Sequence, residues 1–252
     1  MPTQYTEDYL LDKRVKIFQP VNGYRASSDA VLLSAAVSEI KSGAEILDVG
    51  SGTGAVSLCL AQRLKSRNVA IRGVELQAEL ADLANLSATA NNFDFVHFYH
   101  ADIRQKLQEK DLLPCSFDVV ITNPPYSEHD MPSPNPSKAT AHNHHNFDRD
   151  KWLAFCLKMT KPFGHIYMIN RVEALVQICA QLQGKAGGLT ILPIYSKSGQ
   201  EAKRVIVRAQ KDSRAPCRIL PPFITHDADG KYTATAEKIV RAGIGFADIF
   251  ST

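Results

Sequence analysis

From residue 44 onward, short apolar segments alternate with longer amphipathic ones. The apolar segments of strand length are EILDV, VAIRGVEL, FVHFYHAD, FDVVITN and GHIYMIN. GAVSLCLAQRLKS, QAELADLANLSATANN and DRDKWLAFCLKM lie between them and have helical spacing of apolar residues. Strands that alternate with helices of this length predict βαβ units and a parallel sheet, and right-handed crossovers place helices on both faces.

Two later apolar segments, GLTILPIYS and KRVIVRAQ, are separated only by KSGQEA. This linker is too short for a crossover helix, so the two strands are predicted to pair as an antiparallel hairpin at the sheet edge. We therefore predict an α/β, Rossmann-like fold with a seven-stranded mixed sheet, mostly parallel, and helices on both faces. Residues 43–212 form the predicted core, and we expect 1–42 and 213–252 to belong to the same structural domain.

Two stretches lack this alternation. Ser27, Ser28 and Asp29 are good helix caps and predict a helix that begins near Asp29, whereas the residues before it have no regular pattern. Residues 127–146 contain three prolines and no apolar periodicity. Such a long loop predicts a mobile functional segment that closes over substrate, or a disordered one.

Composition excludes some classes of protein. No stretch has the roughly 18 apolar residues that a membrane helix needs. The five cysteines are scattered without CxxC spacing, which predicts reduced thiols in a cytoplasmic protein. A formal charge of +3 is compatible with a nucleic-acid partner but does not require one.

A glycine-rich turn follows the first of the strands. Asp48 precedes Gly50, Ser51, Gly52, Thr53 and Gly54, directly between a predicted strand and a predicted helix. Glycines let the backbone turn sharply and approach a ligand. The spacing is GxGxG, which differs from the GxGxxG of dinucleotide enzymes. A turn required only for packing is the alternative.

Acidic residues end the next two strands. Glu75, followed by Leu76, can accept both ribose hydroxyls of a nucleoside, or it is a solvated carboxylate. Asp102, beside the apolar Ile103, can accept an adenine amino group, or it is a helix cap. Because both lie at strand ends near the glycine turn, we predict that they bind a nucleoside cofactor.

The most informative motif is Asn123-Pro124-Pro125-Tyr126, which directly follows FDVVIT. Two prolines remove two N–H donors, so the Pro124 carbonyl stays available. That carbonyl and the Asn123 side-chain oxygen can together accept both hydrogens of an amino group. Tyr126 offers a ring on which a base can stack. We predict that Asn123, Pro124 and Tyr126 are catalytic; a proline-stiffened turn with a core tyrosine is the alternative.

In this order, LDVGSGTG, GVEL, HADIR and NPPY resemble the class I methyltransferases that modify amino groups of adenine or glutamine. TEDYLLDKRVKIFQPVNGYRASSDAVLLSAAV resembles the N-terminal signature of a bacterial tRNA methyltransferase family that acts on adenosine N6 beside the anticodon of valine tRNA. LKMTKPFGHIYMI and GQEAKRVIVRAQK extend the resemblance over nearly the whole chain. Phe163-Gly164 departs from it, since that family usually has two glycines there.

The resemblance implies an N-methyltransferase that uses S-adenosylmethionine, releases S-adenosylhomocysteine and acts on tRNA. It adds Tyr24, Ser28 and Asp29 to the predicted cofactor residues, and Asn123 serves both cofactor and substrate. Protein glutamine, the N2 of ribosomal guanine and DNA adenine are alternative substrates. A non-catalytic binder of S-adenosylmethionine or RNA is an alternative from another class.

Two groups of polar residues have no assigned role. His142, His144 and His145 crowd the loop after Tyr126, but too few partners are near them in sequence, so we predict no metal site. The basic residues of the N-terminal segment face either a nucleic-acid backbone or solvent; these are Lys13, Arg14, Lys16 and Arg25.

Overall fold

A computed structural model describes residues 4–23, 25–105, 107, 112–125 and 149–247. The strands are β1 (Tyr5–Leu10), β2 (Val15–Pro20), β3 (Ala44–Val49), β4 (Val69–Glu75), β5 (Val96–His100), β6 (Phe117–Thr122), β7 (Thr160–Arg171), β8 (Ala186–Tyr195), β9 (Ala202–Lys211), β10 (Arg218–Ile219) and β11 (Phe223–Ile224). The α-helices are α1 (Ser28–Ala36), α2 (Ala55–Leu64), α3 (Ala78–Ala90), α4 (Arg149–Met159), α5 (Leu175–Leu182) and α6 (Ala234–Val240). A 3₁₀ turn at Val172–Ala174 precedes α5.

The main sheet has the order β10-β8-β9-β7-β6-β3-β4-β5, and β11 also pairs with β8. Strands β3 to β7 are parallel to one another, whereas β9 is antiparallel to both β7 and β8. The Rossmann-like α/β fold and the antiparallel hairpin are therefore confirmed. The strand count is nine rather than seven, because β10 and β11 continue along the outer side of β8.

Helices cover both faces of this sheet, as predicted. One cluster of buried apolar side chains joins one face of the main sheet to α1, α2, α3 and α6. A second cluster joins the opposite face to α4 and α5. Ser27 caps α1, since its hydroxyl accepts from the Asp29 backbone N–H at 3.3 Å. The first cluster also contains side chains from before residue 43 and after residue 212, such as Ile17 and Phe246.

The segment before α1 contains a β-hairpin, although its sequence has no regular pattern. β1 and β2 pair antiparallel, and the turn between them places Leu11, Asp12 and Lys13 at positive φ. These residue types seldom adopt that conformation, so the turn carries none of the usual glycine or asparagine signals. Val15 and Ile17 of β2 are fully buried in the first apolar cluster.

Two asparagines on α3 bind the backbones of strands on either side of it. Asn91 accepts from the Lys16 N–H at 2.9 Å and donates to the Lys16 carbonyl at 2.7 Å. Asn85 makes the equivalent pair of bonds with Phe98 of β5, at 2.9 and 2.8 Å. Asn91, the C-cap of α3, is six positions after Asn85, which places the two asparagines on different sides of the helix. Helix α3 thus ties the N-terminal hairpin to the last strand of the main sheet.

Among the described residues, no helix has the length and apolarity required to cross a bilayer.

Replacing Asn85 with alanine should reduce the free energy of unfolding by about 1–3 kcal/mol, because the Phe98 N–H and carbonyl both lose their partner. Urea denaturation at equilibrium measures this change. Asn68 is exposed, so Asn68→Ala is the matched control and should stay within about 0.5 kcal/mol of the parent protein. Equal stability of the two variants would show that the Asn85 bonds contribute nothing.

Candidate active site

The glycine turn lies at the carboxyl end of β3, where parallel sheets bind their ligands. Gly50, Gly52 and Gly54 have φ angles of 71°, 55° and 83°, which other residues rarely adopt. The N–H groups of Gly50 and Ser51 both donate to the Val74 carbonyl, at 2.9 and 3.0 Å. The loop therefore folds across the end of β4.

Aromatic rings lie directly against two of these glycines. A Cβ atom on Gly50 would lie 2.6 Å from the Trp152 ring, and one on Gly54 would lie 2.6 Å from the Phe98 ring. Both rings would have to move to admit any other residue. Close packing within the protein therefore requires these glycines, and access for a ligand is not needed to explain them.

Glu75 is buried at the end of β4 rather than solvated. Its two carboxylate oxygens accept from the backbone N–H groups of Gly52 and Gln77, each at 2.9 Å. Burial raises the pKa of Glu75, although these N–H bonds favour the charged form and oppose the rise. The side chain fixes the glycine loop and keeps lone pairs available for ribose hydroxyls.

Asp48, at the end of β3, is 1% exposed. Its Oδ2 accepts from the Ser57 hydroxyl at 2.7 Å. Burial raises the pKa of Asp48 to about 7; the Ser57 bond opposes the rise, and the charge of Glu75 adds to it. The carboxyl therefore titrates close to neutral pH.

Three buried polar atoms near this loop have no hydrogen-bond partner: Asp48 Oδ1, Ser51 Oγ and Thr53 Oγ1. Buried polar atoms in native proteins are nearly always paired. Two hydroxyls that can donate or accept and one carboxylate acceptor are suited to a polar, partly cationic ligand. The glycine loop thus carries polar atoms that could hold a cofactor.

The Asp102 carboxylate forms an ion pair with Arg104, which the sequence did not indicate. Both of its carboxylate oxygens bind the Arg104 side chain at 2.6–3.0 Å, and Oδ1 also accepts from the Arg104 backbone N–H. Next to the two strand-end acids, Leu76 is 40% exposed and Ile103 is half-buried. An adenine ring could lie against these apolar side chains, but its amino group would share Asp102 with Arg104.

The Asn123-Pro124 turn, called the acceptor turn below, begins directly after β6. Asn123 is half-buried and Pro124 is buried, and the strand residue before them, Thr122, lies opposite Val49 of β3. The acceptor turn and the glycine turn therefore begin on neighbouring strands. Tyr126, the predicted stacking residue, lies outside the described residues, as do Tyr24 and the 127–146 loop with its histidines.

Polar residues of the N-terminal segment mostly bind protein groups, either within the segment itself or in other parts of the chain. Asp29 is 8% exposed and pairs with Arg204 of β9 at 2.9 Å, whereas Ser28 is exposed. Lys16 pairs with Glu7 at 3.1 Å. Arg25 pairs with Asp8 at 2.6 Å, and Arg14 donates to the Arg241 carbonyl.

The described residues contain neither a metal-binding cluster nor a disulfide. No three His, Cys, Asp or Glu side chains gather there in a way that could hold a metal ion. All five cysteines are free thiols.

Sequence reasoning missed Trp152, on the first turn of α4. Its indole N–H donates to the Thr122 hydroxyl at 2.9 Å while its ring covers Gly50, so it contacts the glycine turn and the strand residue that precedes Asn123. The available signal was that this is the only tryptophan of the chain. Helical spacing alone gave it no more weight than its neighbours.

A family model described as a methyltransferase domain matches residues 40–210. The chain belongs to this methyltransferase family. The matched residues include the glycine turn, both strand-end acids and the acceptor turn.

The methyltransferase also resembles several named proteins over most of its length. It is 26% identical to a tRNA1(Val) (adenine(37)-N6)-methyltransferase of Dyadobacter fermentans, over 86% of this chain and 89% of that protein. It is 28% identical to the Porphyromonas gingivalis protein of the same name, over 92% of each chain.

Two solved structures have the same fold. One, described as a predicted O-methyltransferase from Agrobacterium tumefaciens, has a TM-score of 0.70 and 25% identity, and the match covers 86% of this chain and 97% of that one. A class I S-adenosylmethionine-dependent methyltransferase from Listeria monocytogenes has a TM-score of 0.58 and 19% identity, with 92% and 72% covered.

The pKa of Asp48 predicts a pH-dependent effect of Asp48→Asn. The folded-state pKa lies above the unfolded value, so the folded wild-type protein loses stability as pH rises from about 4 to about 7, and the variant does not. From pH 5 to pH 8, the variant should therefore gain on the order of 2 kcal/mol relative to wild type. Urea denaturation at both pH values measures this gain.

The control for this measurement is Asp94→Asn, which removes an exposed carboxylate. Its stability relative to wild type should change little between the two pH values. If the difference between Asp48→Asn and wild type is also independent of pH, Asp48 does not titrate near neutrality.

Proposed function

We propose that this methyltransferase transfers a methyl group from S-adenosylmethionine to the N6 amino group of an adenosine in tRNA, in the cytoplasm. The observation that carries the proposal is the Asn123-Pro124 turn at the end of β6, the strand that pairs with β3. The two proposed acceptors of amino hydrogens directly follow the strand next to β3, and the glycine turn follows β3. The names of the Dyadobacter and Porphyromonas relatives support adenine N6 and tRNA as the target.

The residues around the glycine turn suit S-adenosylmethionine. Gly50–Gly54 and Asp48 would hold the methionine part, and the unpaired Asp48 Oδ1 and Ser51 Oγ supply polar contacts for it. Glu75 would accept from the ribose hydroxyls. Leu76 and Ile103 would lie against the adenine ring, with Asp102 at its amino group, and the N-terminal Tyr24, Ser28 and Asp29 would complete the site. When bound, the cofactor supplies an electrophilic methyl group on a sulfonium.

The difficulty of the reaction lies with the acceptor, because the adenine amino lone pair is delocalised into the ring. Asn123 and Pro124 would accept both amino hydrogens, which favours a tetrahedral nitrogen and stabilises the positive charge that develops there. Tyr126 would hold the base by stacking, worth about 1–3 kcal/mol. The target base must leave its stack to enter the site, which an RNA loop permits at low cost.

Other acceptors fit the described structure less well. A hydroxyl must lose a proton during methylation, and the two neutral acceptors at Asn123 and Pro124 cannot remove one. Residues 4–23 form a hairpin on α3 rather than a helical substrate domain of the kind that a protein-glutamine enzyme would use. Guanine N2 and DNA adenine share the amino group, so only an assay separates them from tRNA adenine.

Incubation with labelled S-adenosylmethionine should place the label in total tRNA. Ribosomal RNA, DNA and lysate protein are tested in parallel, and nuclease digestion with mass spectrometry identifies the product as N6-methyladenosine. Label confined to protein, to DNA or to guanine would reject the proposed substrate. Binding of NAD without binding of S-adenosylmethionine, measured by calorimetry, would reject the cofactor as well.

Asn123→Ala should slow methyl transfer by roughly 100-fold while leaving cofactor affinity nearly unchanged, because it removes an acceptor whose bond strengthens as charge develops on nitrogen. Tyr126→Ala should also raise the substrate KM, whereas Tyr126→Phe keeps the ring and should be mild. Single-turnover assays and calorimetry measure both quantities. Wild-type turnover by Asn123→Ala, or equal damage in the two Tyr126 variants, would contradict these roles.

A further inference from the structure

A chain of two hydrogen bonds links α4 to the ends of β6 and β3. The Trp152 indole N–H donates to Thr122 Oγ1 at 2.9 Å, and the Thr122 hydroxyl donates to the Val49 carbonyl at 2.8 Å. Thr122 is fully buried, and Trp152 is half-buried. The Thr122 hydroxyl thus accepts one hydrogen bond and donates another. Both donor–acceptor distances lie within the normal range for hydrogen bonds in proteins.

The same indole fixes the first residue of the glycine turn. The ring carbons Cη2 and Cζ2 of Trp152 would both be 2.6 Å from a Cβ on Gly50, so its six-membered ring lies on the Gly50 backbone. Gly50 follows Val49, and Asn123 follows Thr122. Trp152 therefore contacts the start of one turn and holds the last strand residue before the other.

These contacts matter because the β3–β6 ladder extends no further. The pairing of β3 with β6 ends at Val49 and Thr122, and Gly50 and Asn123 then begin separate loops. Methyl transfer requires that the amino nitrogen and the methyl group be aligned, and a misplacement of about 1 Å can cost roughly 100-fold in rate. Something besides the β-ladder must hold the two loops at a fixed spacing.

We propose that Trp152 is a positioning residue that sets the spacing between the glycine turn and the Asn123-Pro124 turn, and that it acts through Thr122. The inference rests on the proposed function, since it assigns methyl donor and acceptor to these two turns. The ring of Trp152 on Gly50 and its bond to Thr122 hold both turns to one rigid indole.

The kinetic test uses Trp152→Phe, Thr122→Val, their double variant and Thr122→Ser. Each of the first two removes one partner of the same bond and should lower the single-turnover rate by roughly 10- to 100-fold with little change in tRNA KM. The double variant should be no slower than the slower single variant, since one chain of contacts is broken in all three. Thr122→Ser keeps the hydroxyl and should recover the rate to within about threefold.

Phe155→Leu is the matched control, because Phe155 is buried on the same helix and in the same apolar cluster without being one of the linking residues. It should lower the melting temperature and leave the rate near wild type. If Phe155→Leu slows methyl transfer as much as Thr122→Val, any damage to α4 has this effect and the positioning role is wrong. The proposal would also be overturned if the rate reduction in the double variant equalled the product of the reductions in the two single variants.

A second readout needs no methyl acceptor, because Trp152 is the only tryptophan. Titration with S-adenosylhomocysteine should change its fluorescence, and Thr122→Val should increase its quenching by acrylamide in the free protein. Calorimetric binding of S-adenosylhomocysteine with no fluorescence change, together with wild-type quenching in Thr122→Val, would reject the proposal. If the wild-type protein labels no tRNA but shows the expected fluorescence and quenching changes, only the proposed substrate is wrong.

Discussion

Val49 of β3 lies opposite Thr122 of β6, and this register determines where the side chains of the proposed site lie. The chain runs outward from β3 through β4 and β5, and then returns to β6 on the other side of β3. Loops that leave two strands at such a reversal diverge and open a crevice. Asp48 and Glu75 border it on one side and Asn123 on the other, so a shift of register by one residue would turn these side chains to the opposite faces.

Burial of polar atoms at this crevice has an energetic cost that the fold offsets only in part. Asp48 binds Ser57 through one oxygen, while its other oxygen and the hydroxyls of Ser51 and Thr53 are unpaired. A second carboxylate, Glu75, lies near enough to raise the pKa of Asp48 further. An arrangement optimised only for stability would lack such groups, and their presence agrees with a site that binds a polar cofactor.

The sequence predicted secondary structure correctly where its signal was local and repeated. Alternating segments predicted the parallel strands, and the short KSGQEA linker predicted the β8–β9 hairpin. The β1–β2 hairpin was missed because its turn uses Leu11, Asp12 and Lys13 at positive φ. β10 and β11 have two residues each, too few for any periodicity. The contacts of Trp152 depend on tertiary packing that spacing cannot reveal.

The asparagines of α3 have a consequence for association between molecules. β5 is the last strand of the main sheet, and an outermost strand normally offers free N–H and carbonyl groups to a strand of a second molecule. The Asn85 amide occupies both groups of Phe98, at the middle of β5, and Asn91 does the same for Lys16 on β2. A single helix thus blocks intermolecular β-pairing at two places, which gives the protein a built-in barrier to aggregation as soon as α3 has docked.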